Sequence, residues 1–304
     1  MDSTVVLGNF DGVHLGHQAL FAAGRELATQ YHTTLLAYTF NPHPTQILAG
    51  AHPVELLQTF AQKREALKRF VDEVVAEPFT AAFAQMSAES FFTTILLTKL
   101  HARAIVVGYN FTFGKARSGT TQTLVELCQQ HHVALRIVPA QFHGSTLVSS
   151  SLIRQLIKNG DVKEARRYLT RPYRLEGHVV RGRGLGGSLG AHTANLQSVN
   201  SIFPPDGVYL SQTSVFAEPC NARQLQVKDS PSISSVGWNP TFPNSPFSIE
   251  THLLNQESEL LGKYIAIDFL ERMRDQIKFE TPDALKQQIA ADLQEARKKH
   301  GLPT

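Results

Sequence analysis

Over its first half the chain alternates short apolar runs with longer segments of helical periodicity. Residues 4–7, 34–40, 104–107 and 134–138 are nearly continuous in apolar side chains, as strands covered on both faces should be. Between them, residues 17–31, 57–71, 88–100 and 121–132 carry apolar positions at helical spacing. A fifth helix is expected over 151–159, stopped by Gly160. This alternation predicts an α/β domain with a parallel sheet covered by helices.

The texture changes after Leu169, where Arg171-Pro172 interrupts a helical stretch. Short β-type runs follow at 175–180, 208–213, 232–236, 249–254 and 264–269, separated by Gly, Pro, Asn and Ser. They predict a small antiparallel β-barrel. One helix closes the chain, with Thr281 as N-cap, Pro282 at the first helical position and Leu285, Ile289 and Leu293 as its apolar stripe. The expected domains are therefore residues 1–170 and 171–304.

Composition narrows the class. Of 304 residues, 42% are hydrophobic and 18% charged, with no apolar run of membrane-spanning length and no export signal at the start. Cys128 and Cys220 are far apart and outside any CxxC or metal-ligand spacing, which fits a reducing, cytoplasmic compartment. A scattered net charge of +3 implies no nucleic-acid partner and is compatible with phosphorylated small molecules. No feature specifies an oligomeric state.

The first chemical constellation is Gly8-Asn9-Phe10-Asp11-Gly12-Val13-His14-Leu15-Gly16-His17, between the first strand and the first long helix. A parallel sheet presents its ligand crevice there. Gly8, Gly12 and Gly16 allow close approach of backbone to a polyphosphate, and the helix start adds N–H donors. His14 and His17, three residues apart, are placed to donate to phosphoryl oxygens. A bare His-x-x-His also reads as a metal pair or a solvated face; the glycines, Asn9 and Asp11 around it favour a nucleotide site, and no third metal ligand lies nearby in sequence.

This segment resembles the HxGH nucleotidyltransferase signature in the form carried by bacterial bifunctional riboflavin kinase/FMN adenylyltransferases. Thr39-Phe40-Asn41-Pro42-His43-Pro44 is similar to the family's TFxPHP loop, 107–114 with Arg117 and Gly119 to its VGxNFxFG element, and Val148-Ser149-Ser150-Ser151-Leu152-Ile153-Arg154 to its VSSTxIR element. The resemblance implies a Rossmann-like nucleotidyltransferase domain. It implies ATP contacts from Gly8, Asn9, Phe10, Asp11, Gly12, Gly16, Asn110, Ser149, Ser150 and Arg154, with His14 and His17 catalytic. Phe40, Pro42, His43, Phe111, Phe113 and Arg117 become candidates for the flavin pocket, although core packing suits the three phenylalanines equally well. It also implies a longer segment before the first strand than the few residues present here.

A literal GxGxxG begins at Gly182, but a β-type segment follows it rather than a helix, so the dinucleotide fingerprint has no mechanism here. The region instead resembles the riboflavin kinase module. By that resemblance Gly182 and Gly184 line the ATP loop, Thr193 and Asn195 hold Mg²⁺ and phosphates, and Glu250 is the base. The chemistry asks for such a base, because the riboflavin hydroxyl is neutral whereas the FMN phosphate is already anionic. Arg181, Gly187, Ala191 and His192 depart from the family pattern within one loop. The implied activity is FAD biosynthesis from riboflavin, with ATP and Mg²⁺, by way of FMN. A monofunctional FMN adenylyltransferase with an inert barrel and a non-catalytic flavin sensor are the alternatives.

Overall fold

The computed structural model describes residues 1–48, 54–182, 193–216, 225–238, 240–241, 246–255 and 259–303. The chain divides into two compact units, Met1–Ser150 and Ser151–Thr304.

In the first unit β1 (Ser3–Leu7), β2 (Thr34–Phe40), β3 (Glu73–Glu77), β4 (Ala102–Gly108) and β5 (Ala134–Val138) form one parallel sheet ordered β3-β2-β1-β4-β5. The central β1 is buried along its whole length, which is why its sequence shows no alternation. On one face α1 (Leu15–Tyr31) packs Leu20, Phe21 and Leu27 against Val6, Leu35 and Val106. On the other, Phe92 and Leu96 of a π-helix, Phe91–Lys99, and Leu124 of a helix described below pack against Val5, Tyr38 and Ile105.

Two helical expectations are corrected here. A short α2 (Pro44–Leu48) follows β2, and the stretch expected as one helix over 57–71 forms only α3 (Phe60–Leu67). Thr59 starts α3 through a reciprocal capping box with Gln62, and the chain then turns into β3, which the pattern does not predict. Residues 88–100 are a single α turn, α4 (Ala88–Ser90), continuing as the π-helix. Next come α5 (Thr121–Gln130), whose Leu124 is the core residue just named, and a small hairpin of β6 (Phe142–His143) and β7 (Thr146–Leu147).

After α6 (Ser150–Asn159) and α7 (Val162–Leu169), the second unit is a closed antiparallel barrel in the order β10-β11-β12-β9-β8-β13. Its strands are β8 (Tyr173–Val180), β9 (Ala194–Ser198), β10 (Gly207–Phe216), β11 (Leu225–Gly237), β12 (Ser248–Leu253) and β13 (Tyr264–Arg274). Of these, β9 has no counterpart among the expected runs. A buried hydroxyl cluster bridges β10, β11 and β12: Ser211 lies 2.8 Å from both Ser232 and Ser234, Thr213 2.9 Å from Ser232, and Ser234 donates to Thr251 at 2.9 Å. Each buried hydroxyl thus has a partner, as burial requires. The closing helix α8 (Pro282–Lys299) starts as the sequence predicts, Thr281 Oγ1 accepting from the Ala284 amide at 3.2 Å. Leu285 is buried, Leu293 packs with Val208 and Leu210, and buried Asp292 receives Arg274 at 2.6 Å.

Among the described residues no helix is long and apolar enough to cross a membrane.

Candidate active sites

In the first sheet the chain runs outward from β1 to β2 and β3 on one side and to β4 and β5 on the other. The direction therefore reverses between β1 and β4, and the crevice beyond their C-terminal ends is where such sheets bind ligands. The loop from Gly8 to His14 leaves β1 at that point, and the loop carrying Asn110 leaves β4 beside it.

The β1–α1 loop is tightly wound. Phe10, Gly12 and Val13 all have positive φ (53°, 89° and 42°), a cost for the bulky Phe10 and the β-branched Val13 that the surroundings must hold in place. Asp11 supplies one restraint: 4% exposed, it accepts the Leu57 amide on both carboxylate oxygens at 3.0 and 3.2 Å. Ser150 supplies another, its hydroxyl donating to the Asp11 carbonyl at 2.8 Å. The loop ends at His14, the N-cap of α1, whose carbonyl accepts the amides of His17 and Gln18. The His14 and His17 rings stack at 3.7 Å with 21° between planes, and Phe10 meets His17 edge-on at 5.4 Å. Gly16 makes room for this, since a Cβ there would lie 3.0 Å from the His14 ring. Spacing in sequence has become two imidazoles side by side at a helix N-terminus, a donor array for an anion.

Lys63, on α3, is a residue that sequence reasoning passes over. Only 6% exposed, its Nζ donates to the Asn9 carbonyl, the Thr39 hydroxyl and the Phe40 carbonyl, each at 3.2 Å, and lies 5.5 Å from the Phe60 ring centroid. It ties the β1–α1 loop to the loop that follows β2. Burial lowers its ammonium to about 8, with the Asp11 carboxylate opposing.

The loop after β2 holds half-buried Pro42 beyond a cis Asn41–Pro42 bond, and buried His43, whose Nδ1 accepts the Thr45 amide at 3.3 Å. Phe40 is half-buried against Tyr38, Phe79 and Phe83. Phe113 belongs to the core beside Phe91, and Phe111 stacks on it at 5.6 Å from the surface side, leaving Asn110 exposed at the loop's tip. Arg117 is exposed, in a left-handed conformation, and donates to Thr112 at 3.1 Å. Ser149 and Ser150 are half-buried at the start of α6. Arg154, one turn along α6, falls in the second unit and is half-buried.

In the barrel, Thr193, Asn195 and Glu250 come together although 57 positions separate the first from the last. Thr193 Oγ1 donates to Glu250 Oε2 at 2.9 Å, and Ser248 donates to Oε1 at 3.1 Å. Asn195 on β9 is the direct register partner of Glu250 on β12. Gly182 is needed opposite them, because a Cβ there would lie 2.1 Å from the Asn195 carboxamide. Gly184, Gly187, Ala191 and His192 lie outside the described residues.

Comparisons with known proteins cover both halves of the chain. A family model described as FAD synthetase matches residues 1–152, and one described as riboflavin kinase matches residues 169–300. The bifunctional riboflavin kinase/FMN adenylyltransferase of Bacillus subtilis is 33% identical over 97% of this chain and 91% of its own, and that of Escherichia coli K12 is 28% identical over 98% and 93%. A crystal structure of a macrolide-efflux protein from Streptococcus pneumoniae superposes with a TM-score of 0.86 at 32% identity, covering 97% of this chain and 94% of that one. With two family models in tandem and curated relatives matched over nearly their whole length, the chain belongs to the bifunctional riboflavin kinase/FMN adenylyltransferase family.

Proposed function

We propose that the chain carries out two ATP-dependent steps of flavin synthesis, phosphorylation of riboflavin to FMN at the Thr193–Glu250 pair and adenylyl transfer to FMN at the His14–His17 pair. Adenylyl transfer is assigned to residues 1–170 and phosphorylation to 171–304. The observation that carries the reading is the division of chemistry between the sites: stacked imidazoles at a helix N-terminus in one, a carboxylate accepting from a hydroxyl in the other.

In the first site an FMN phosphate oxygen attacks the α-phosphorus of ATP, a new P–O bond forms and pyrophosphate leaves. The nucleophile is already charged, so alignment and neutralisation of developing charge suffice. His14, His17 and the first amides of α1 donate to the phosphoryl oxygens, with Gly8, Asn9, Phe10, Gly12 and Gly16 shaping the approach. Ser149 and Ser150 grip the phosphates, and Asn110 reaches the nucleotide and flavin. Asp11 acts through the loop that it pins. Pro42, His43, Phe40, Phe111 and Arg117 border the flavin, Phe113 supporting Phe111 from the core.

In the second site the riboflavin 5′-hydroxyl oxygen attacks the γ-phosphorus while its proton passes to Glu250, and ADP leaves. The hydroxyl, carboxamide and carboxylate oxygens of Thr193, Asn195 and Glu250 form a hard-donor set that suits Mg²⁺. Thr193 and Asn195 would hold it, where it supplies neutralisation of phosphate charge. The compartment we propose is the cytoplasm, where a buried thiol such as Cys128, pushed up to about 12 by burial, stays reduced and inert.

The deciding assay gives purified protein Mg²⁺ and ATP, with riboflavin in one tube and FMN in another, and separates the flavins by HPLC. FAD in both tubes is the expected result. FAD from FMN alone leaves only the monofunctional enzyme, and FAD in neither removes the proposal.

Lys63 sets a further expectation. A neutral amine has two protons for three acceptors, so the tie between the loops weakens as pH rises through about 8. Adenylyl transfer should show an alkaline limb there that riboflavin phosphorylation does not share. Lys63→Met should lower FAD formation from FMN about 100-fold at every pH and remove that limb, as a misplaced phosphate loop would. Parallel pH–rate profiles of the two reactions check both statements.

A further inference from the structure

Along β12 half-buried and buried positions alternate, so Ser248, Glu250 and His252 share one face while Ile249, Thr251 and Leu253 are buried on the other. Among the described residues two hydroxyls hold the Glu250 carboxylate, Thr193 donating to Oε2 at 2.9 Å and Ser248 to Oε1 at 3.1 Å. Thr193 is already committed to Mg²⁺ and phosphate, whereas Ser248 has no task in either reaction.

A glutamate side chain has three torsions, and the last of them, which turns the carboxylate, has only a broad minimum. One hydrogen bond lets the carboxylate swivel; a donor on each oxygen fixes its plane. The two donors differ in origin. Thr193 stands just ahead of β9, so its hold on Oε2 depends on whatever binds to its own oxygen. Ser248 lies on the same strand as the carboxylate, two residues back and about 7 Å along the rise, a gap that the long glutamate side chain closes. Its cross-strand partner is Gly237, which presents no side chain, and the hydroxyl directly across from Glu250, that of Ser235, accepts the Gln276 amide at 2.8 Å. Ser248 is thus the donor whose grip on Glu250 does not depend on the site being filled.

We infer that Ser248 is a positioning residue for riboflavin phosphorylation, holding Oε1 so that the Glu250 carboxylate is already oriented when the 5′-hydroxyl arrives. A base must stand within hydrogen-bond reach of the proton it takes, and a small misplacement costs rate more than affinity. The inference rests on the reading of Glu250 as the kinase base.

The test is steady-state phosphorylation of riboflavin by the full chain carrying Ser248→Ala or Ser248→Thr. Loss of the hydroxyl should lower kcat about tenfold while the KM values for riboflavin and ATP stay nearly unchanged, which also reports a folded barrel. Threonine keeps the hydroxyl and suits a strand, so it should restore most of the rate. A double-substitution cycle isolates the route: beside Glu250→Gln, Ser248→Ala should change kcat less than about twofold, because the group that it orients no longer takes the proton. An unchanged kcat in Ser248→Ala, or no recovery in Ser248→Thr, overturns the inference. So does a tenfold loss that persists beside Glu250→Gln, or a raised KM with kcat intact, since either would make Ser248 a structural or binding residue. If the wild-type chain phosphorylates no riboflavin, or Glu250→Gln does so at full rate, the reading of Glu250 falls and takes the inference with it.

Discussion

Glu250→Gln should reduce riboflavin phosphorylation about 10³-fold while leaving FMN adenylylation at its wild-type rate. The substitution is nearly isosteric, so Thr193 and Ser248 keep a side-chain partner and the β9–β12 register is preserved. What disappears is the acceptor for the hydroxyl proton, and general-base catalysis of this kind contributes about 10²- to 10⁴-fold. The loss should fall on kcat, with the KM for ATP little changed, because the nucleotide is bound by neighbouring groups. ADP release from ATP and riboflavin measures it, and a decrease of less than about tenfold would remove Glu250 from the base role.

His17→Ala should have the complementary effect, lowering FAD formation from FMN by about 10²- to 10³-fold, the usual cost of one donor aimed at developing phosphoryl charge. His17 is the cleaner target of the pair, because His14 is 5% exposed, so that removing its ring also leaves a void in the wound loop. Combining the two substitutions should cost much less than the product of the single effects, since the stacked rings act as one unit. Pyrophosphate release measures the first reaction. Undiminished riboflavin phosphorylation by the same preparation shows that the chain is folded.

The parts of this architecture that can be read directly from sequence are those in which local signals and burial agree. β1, β2 and β4 are buried between helical layers, so continuous apolar runs mark them; β5 is a half-buried edge strand that keeps four apolar residues in five, and Thr281-Pro282 marks the start of α8. β3 escapes because it is an edge strand whose three apolar residues lie between glutamates, directly after a helix of similar composition. β9 escapes because Ala194–Ser198 is polar and short, a strand made by its neighbours rather than by its own propensity. The same distinction applies to the sites. His14 and His17 are legible because glycines and spacing surround them within ten residues, whereas a lysine on an amphipathic helix reads as solvated until the fold buries Lys63 under two loops.

Among the described residues β9 meets β12 at Asn195–Glu250 and Ala194–Thr251, whereas β10 and β11 pair from Gly207–Val236 to Phe216–Leu225. The barrel wall is thus stitched most lightly at the proposed kinase site. If the Thr193–Glu250 pair holds nucleotide as proposed, a nucleotide bound there would stabilise the barrel by RT ln(1 + [L]/Kd). The heat tolerance of the barrel would then be tied to how well it is supplied with substrate, so that a starved enzyme should also be the more fragile one.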